Sequence, residues 1–176
     1  VIDQIVENPD MLQLGGEKRE MTPFFSDIQG FSTISEGLTP EELVQLLNEY
    51  LTAMCDIISS HHGTIDKFEG DAIIAFWGAP LKLPNHATVA CYATLEMQQR
   101  SVELRKMLRE QNRPLLYTRM GLNSGPVVVG NMGSAERMDY TMMGDVVNLA
   151  ARLEGANKFY KTYSMISGST YELAKE

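Results

Sequence analysis

At 176 residues the chain is one domain of ordinary size with room for a single good core, and 44% hydrophobic with 22% charged residues is the composition of a soluble globular protein. A net charge of -8 argues against a nucleic-acid partner, because polyanion binding needs clustered Lys and Arg, yet a phosphorylated small molecule stays admissible if a metal supplies positive charge. No P-loop motif, signal-peptide pattern or long apolar run occurs, which leaves out P-loop chemistry and a membrane-spanning helix in this segment.

The chain opens at Val1 rather than Met, so it reads as a piece of a larger protein. Residues 1–20 carry a short apolar stripe (Ile2, Ile5, Val6), then Pro9 and Gly15-Gly16, the pattern of a short helix and turn that connect to an upstream module. Residues 21–27 are the first predicted strand, where Pro23 is expected either to mark the start or to weaken the ladder. Thr39-Pro40-Glu41-Glu42 opens a helix: Thr39 caps, Pro40 suits the first turn and Glu42 completes a capping box. Leu43, Leu46, Leu47, Tyr50, Leu51, Met54, Ile57 and Ile58 then share one stripe until Gly63. Residues 64–68 and 72–77 read as a hairpin around Glu69-Gly70, with Trp77 packing at its end.

A long helix is predicted from Asn85 to Glu110 with Ala90, Ala93, Met97, Leu104 and Leu108 inward, closed by Asn112-Arg113-Pro114. Strands 116–123 and 126–130 flank Ser124-Gly125, and a glycine-containing loop over 130–137 leads to a strand at 139–143. A helix over 145–157, a strand over 163–167 and a helical start at Ser169 complete the chain. This βαββαβββαβα order means α/β, one central sheet with helices packed on it. Cys55 and Cys91 fall in helical, apolar contexts without metal-type spacing and read as buried free thiols of a reducing compartment. His61-His62, at a helix end, reads as solvated rather than metal-binding.

Two aspartates carry the strongest chemical signal: Asp27 in Phe-Phe-Ser-Asp-Ile-Gln-Gly-Phe and Asp71 in Asp-Lys-Phe-Glu-Gly-Asp-Ala-Ile-Ile. Each is a carboxylate at the edge of an apolar run beside glycine, which offers oxygen ligands for a hard cation and open backbone for a phosphate. Asp27 alone would read as a helix cap, but Asp71 at the start of a central strand carries a charge that is costly unpaired, which favours a metal. Strand alternation puts Ile65 and Lys67 on one face and Asp66 and Phe68 on the other, leaving Lys67 either at a solvated edge or aimed at a ligand ring nitrogen. Asn148 and Arg152, four apart, share a face of a helix whose neighbours are apolar enough to bury it. Arg152 is then paired with a structural carboxylate or aimed at a phosphate, and spacing does not choose between the two.

From about Glu17 to Glu172 the chain resembles the catalytic domain of class III nucleotidyl cyclases, the adenylate and guanylate cyclases, most of all the bacterial receptor-type enzymes. The resemblance rests on Gly-Glu-Lys-Arg-Glu-Met-Thr, the two aspartate motifs, Gly-Leu-Asn-Ser-Gly-Pro-Val-Val-Val-Gly-Asn and Gly-Asp-Val-Val-Asn-Leu-Ala-Ala-Arg-Leu-Glu, in that order. It implies an α+β sandwich with a ferredoxin-like, palm-type, mostly antiparallel sheet, the catalytic domain occupying residues 21–176. In that resemblance the sequence stops at Glu176, before the terminal hairpin in which the family usually has a basic residue for the triphosphate. By the same resemblance Asp27, Asp71 and the Ile28 carbonyl bind two Mg²⁺ or Mn²⁺ per site, Lys67 and Thr141 read the purine, and Gly30 and Phe31 hold the β- and γ-phosphates. Asn148 would orient the ribose and Arg152 stabilise the transition state.

The metal aspartates would come from one protomer of a head-to-tail homodimer, and Lys67, Thr141, Asn148 and Arg152 from the other. The implied activity is adenylate cyclase, ATP to cyclic AMP and pyrophosphate, in a cytoplasmic domain controlled by an upstream sensor. Threonine at position 141 resembles a subset that includes bicarbonate-responsive enzymes. A silent nucleotide-binding or dimerisation module and a guanylate cyclase are the competing readings, set against the intact six residues and Lys67 respectively.

Overall fold

The computed structural model describes residues 14–134 and 136–175; the helix expected around Ile2, Ile5 and Val6 lies outside them. In chain order the elements are β1 (Gly15–Ile28), α1 (Phe31–Glu36), α2 (Pro40–Ser60), β2 (Thr64–Glu69), β3 (Ala72–Trp77), α3 (His86–Glu110), β4 (Thr118–Leu122), β5 (Gly125–Gly133), β6 (Met138–Met143), α4 (Asp145–Tyr160), β7 (Ser164–Ile166) and α5 (Gly168–Ala174). The strands form one seven-stranded sheet in the order β2-β3-β1-β4-β7, with β5 on the first half of β1 and β6 on β5. Only β4 and β7 run parallel. This is the mixed, mostly antiparallel architecture that the resemblance implies.

The first strand begins six residues before the predicted 21–27, because Gly15 to Met21 pair with Asn131 to Gly125 of β5. Gly16 and Gly130 face each other so closely that a Cβ on Gly130 would sit 2.1 Å from the Gly15 carbonyl, so the glycines of the expected turn and loop are strand residues in contact. Pro23 lies inside the strand, opposite Phe76 of β3. Pairing with β5 ends at Met21 and pairing with β4 begins at Phe24. The Pro23 carbonyl accepts from the Asn123 N–H on that same edge, so its missing N–H falls where β1 changes partners rather than inside the β1–β3 ladder.

Both faces of the sheet are covered. On one, Phe24 and Ile28 meet Leu46, Tyr50, Met54 and Ile58 of α2 and Ala90, Ala93, Met97 and Leu108 of α3. Full burial of a large apolar side chain there contributes about 1.5–3 kcal/mol. Trp77 belongs to this core, edge-on to Phe24 at 5.9 Å with its indole N–H donating to the His61 carbonyl. The capping box forms as expected: Glu42 N–H donates to Thr39 Oγ1 at 3.2 Å, and Thr39 N–H to Glu42 Oε2 at 2.9 Å. His61 is held by Glu96, 2.7 Å away, rather than left to solvent. Cys55 and Cys91 are free, half-buried, and raised in pKa by that burial.

On the opposite face Met21, Ile74, Phe76, Val127, Val129 and Met142 form a second core, and α4 lies across β4. The approach is close: a Cβ on Gly121 would meet the Glu154 backbone nitrogen at 2.2 Å and the Ala150 carbonyl at 2.6 Å. No described helix is long and apolar enough to cross a membrane. Gly121→Ala is therefore expected to push α4 off the sheet and destabilise the fold by about 3 kcal/mol or more. Gly155→Ala, with nothing within 4 Å, should be neutral or mildly stabilising. Urea melts of the two variants check this contrast.

Candidate active site

Asp27, next to last in β1, pairs across the ladder with Arg119 of β4, so the two side chains share a face. Arg119 grips both carboxylate oxygens: Nη2 lies 2.8 Å from Oδ1 and 3.1 Å from Oδ2, and Nε 3.2 Å from Oδ1. Nε also stands 3.3 Å from Glu154 Oε1 on α4. Asp71 arrives from the β2–β3 turn. Because Ile73 pairs with Ser26, the residue two places earlier comes level with Ile28, whose N–H donates to Asp71 Oδ2 at 2.7 Å.

Three carboxylates from three elements thus gather near one guanidinium, and negative charge is in excess. Burial raises the Asp71 pKa, and the Asp27 charge adds to it against the Ile28 hydrogen bond. Glu154 is pushed up to about 7, first by burial and then by the Asp27 charge, with Arg119 opposing. An oxygen-only donor set with surplus negative charge fits a hard divalent cation. Among the described residues no three His, Cys, Asp or Glu side chains form a ready-made cage. That suits a cation whose shell is completed by substrate phosphates and water.

Beside Asp27 the chain turns through Gly30, whose φ of +69° favours glycine, and enters α1 at Phe31. Gln29 N–H donates to the Tyr117 carbonyl at 2.7 Å and fixes the turn. A cavity of about 530 Å³ opens here, walled by Gly30, Arg119, Lys158, Lys161 and Tyr163. Positive side chains thus line a void beside Asp27's partner Arg119.

A second cluster forms around β2 and β6. The expected alternation in β2 fails, because its register on β3 shifts between Ile65 and Lys67, a bulge at Asp66. Asp66 is therefore turned inward, 2% exposed, where its Oδ2 accepts from Thr141 Oγ1 at 2.6 Å and its Oδ1 lies 3.4 Å from Lys67 Nζ. Lys67 and Thr141, 74 residues apart by number and on different strands, are brought together through that carboxylate.

Asn148 and Arg152 do not join the aspartates. On α4 the buried or sheet-facing residues are Ala150, Glu154 and Asn157, and Asn148 and Arg152 sit two places away on the other side of the helix, both exposed. The expectation of a helix buried all round is corrected: α4 is covered on one side only, and Arg152 has no ion pair among the described residues. Sequence reasoning passed over Arg119, Glu154, Asp66, Lys158 and Lys161. A charge inside the apolar run Leu-Tyr-Thr-Arg-Met-Gly-Leu was a usable signal for Arg119; the others depend on contacts between distant segments.

The model of the adenylate and guanylate cyclase catalytic domain family matches residues 16–176. Adenylate cyclase 1 of Rhizobium meliloti is 42% identical over 159 residues, 90% of this chain and 24% of that protein. The adenylate cyclase of Anabaena cylindrica is 35% identical over 86% of this chain and 30% of its own length. The chain thus spans less than a third of these relatives. Among solved structures, the adenylyl cyclase CyaB from P. aeruginosa is 41% identical with a TM-score of 0.84, covering 92% of this chain and 83% of its own. The guanylyl cyclase Cya2 is 40% identical with a TM-score of 0.85, covering 93% and 82%.

The raised Glu154 pKa sets a pH dependence. The folded state favours the protonated carboxyl, so stability from this group is fully present below the ordinary value of 4.5 and is lost as pH rises through about 7. Glu154→Gln escapes that loss. In metal-free buffer its melting temperature relative to wild type should climb between those two pH values and level off above them.

Proposed function

Because the chain belongs to the adenylate and guanylate cyclase catalytic domain family, we propose that it is an adenylate cyclase, closing ATP to 3′,5′-cyclic AMP and pyrophosphate in sites shared by two copies of itself. The observation that carries the shared site is the outward placement of Asn148 and Arg152, on the side of α4 away from Glu154 and the Asp27 cluster. One chain therefore offers two incomplete half-sites, and a head-to-tail pair completes both.

In this reading Asp27, Asp71 and the Ile28 carbonyl hold two Mg²⁺ or Mn²⁺ ions. When bound, the ions supply the acidity that ionises the ribose 3′-hydroxyl and the charge that eases departure of pyrophosphate. Arg119 must release at least one Asp27 oxygen for this, and the basic cavity with Lys158, Lys161 and the Gly30–Phe31 backbone is where the triphosphate tail would lie. From the second protomer, Asn148 orients the ribose and Arg152 offsets charge gathering on the α-phosphate.

An adenylyl and a guanylyl cyclase structure resemble the chain equally, so the choice of ATP rests on side chains. Lys67 donates to the unprotonated adenine N1, and Thr141 meets the 6-amino group. The intact aspartates and arginine weigh against a silent regulatory module. Control by an upstream domain and a cytoplasmic location belong to the same proposal.

The test is cyclic nucleotide production from ATP or GTP with Mn²⁺ over a protein dilution series. Activity should be specific for ATP and fall faster than linearly on dilution. Asp71→Ala should abolish it, and Arg152→Ala should lower kcat by about a thousandfold with fold and dimer intact. Full activity in Asp71→Ala would overturn the metal assignment, and undiminished specific activity at high dilution would overturn the shared site.

A further inference from the structure

Lys67 and Thr141 are ambiguous readers taken alone. A threonine hydroxyl donates or accepts as its rotor allows, and a hydroxyl that turns freely meets the 6-amino group of adenine and the 6-oxo group of guanine equally well. Asp66 removes that freedom. Its carboxylate is almost wholly buried, 2% exposed, and lies at the β2 bulge between the two readers. A carboxylate accepts and does not donate. The Thr141 proton therefore points to Asp66 Oδ2 at 2.6 Å, and the lone pairs of Thr141 Oγ1 are left for a ligand. Oδ1 is buried without a hydrogen-bond partner among the described residues, and the Lys67 ammonium lies 3.4 Å from it. The carboxylate charge draws Lys67 toward Thr141 and, with no hydrogen bond formed between Oδ1 and the ammonium, leaves the ammonium N–H groups for a ligand.

We propose that Asp66 is a positioning residue that sets the hydrogen-bond polarity of the base-reading pair, and with it the preference for adenine over guanine. The pair then presents a fixed donor, Lys67, beside a fixed acceptor, Thr141. Adenine offers the complement, an acceptor at N1 and a donor at the 6-amino group. Guanine offers a donor at N1–H and an acceptor at O6, so it sets donor against donor and acceptor against acceptor. An unmade hydrogen bond at a desolvated site costs more than a made one gains, which turns polarity into discrimination.

This inference rests on the cyclase reading above and is separable from it. Asp66→Asn keeps the shape but lets the amide donate to Thr141, which frees the hydroxyl proton to turn toward a 6-oxo group. The ATP-to-GTP ratio of kcat/KM should fall at least tenfold, carried by KM for ATP more than by kcat, in a variant whose dimer and melting temperature match wild type. Purine riboside triphosphate, adenine's ring without the 6-amino group, supplies a readout that a general loss of order would not move. Wild type should use it about tenfold less well than ATP, and Asp66→Asn should use the two alike.

Should Asp66→Asn fail to fold, wild type still tests the polarity that Asp66 is proposed to set, and the predicted order is required for the proposal to stand. ATP should be used best, purine riboside triphosphate less well, and inosine triphosphate, mismatched at both positions, least. Inosine triphosphate used as well as purine riboside triphosphate would overturn the polarity assignment, as would an unchanged ATP-to-GTP ratio in a folded Asp66→Asn. Absence of cyclic product from every nucleotide in wild type would overturn the cyclase reading instead.

Discussion

Arg119 is held between Asp27 on β1 and Glu154 on α4, and the rest of the site depends on that ion triad. It joins the strand that bears Asp27, a proposed metal ligand, to the helix that bears Asn148 and Arg152. It also fixes the roll of that helix: with Glu154 turned to the sheet, Asn148 and Arg152 are turned away from it. Gly121 lets α4 sit close enough for the ion pair to form, since any side chain there would strike the helix backbone. One contact therefore determines both what a single chain assembles and what it leaves for a second copy.

The triad is also a poised arrangement. Burial first, and the unbalanced charge of three carboxylates near one guanidinium second, raise the pKa values of Asp71 and Glu154. A divalent cation would offset that charge, and in doing so would compete with Arg119 for Asp27. Arg119 already lines the cavity beside Gly30 together with Lys158 and Lys161, so an anion bound there would draw the arginine off Asp27. The cluster proposed to read the purine is built differently. There a single buried acid, Asp66, satisfies one reader by hydrogen bond and draws the other by charge.

Much of this was legible in the sequence where the signal is local. The Thr39–Glu42 cap, the β2–β3 hairpin and the inward residues of the long helix from Ala90 to Leu108 follow from patterns a few residues long. The short helix Phe31–Glu36 was missed because six residues are too few for a periodic stripe, with Phe31 and Ile34 only partly buried against the core. Pro23 misled because its cost depends on which neighbour it faces, and it stands where β1 changes neighbours. Alternation failed at Lys67 because a bulge inserts a residue that a period of two does not register. The Asp27–Arg119 pair spans 92 positions, and only strand pairing reveals it. Asn148 and Arg152 were placed on one helix face correctly, but which way that face turns is a tertiary fact.

Mixing two inactive variants tests the shared site most directly. Asp71→Ala removes a proposed metal ligand from one half-site, and Arg152→Ala removes the proposed transition-state arginine from the other. If each site draws on both chains, equal amounts co-refolded should recover about a quarter of wild-type activity, from one intact site in half of the dimers. If all six residues serve within one chain, the mixture will be as inactive as its parts, and the reading of two complementary half-sites is wrong.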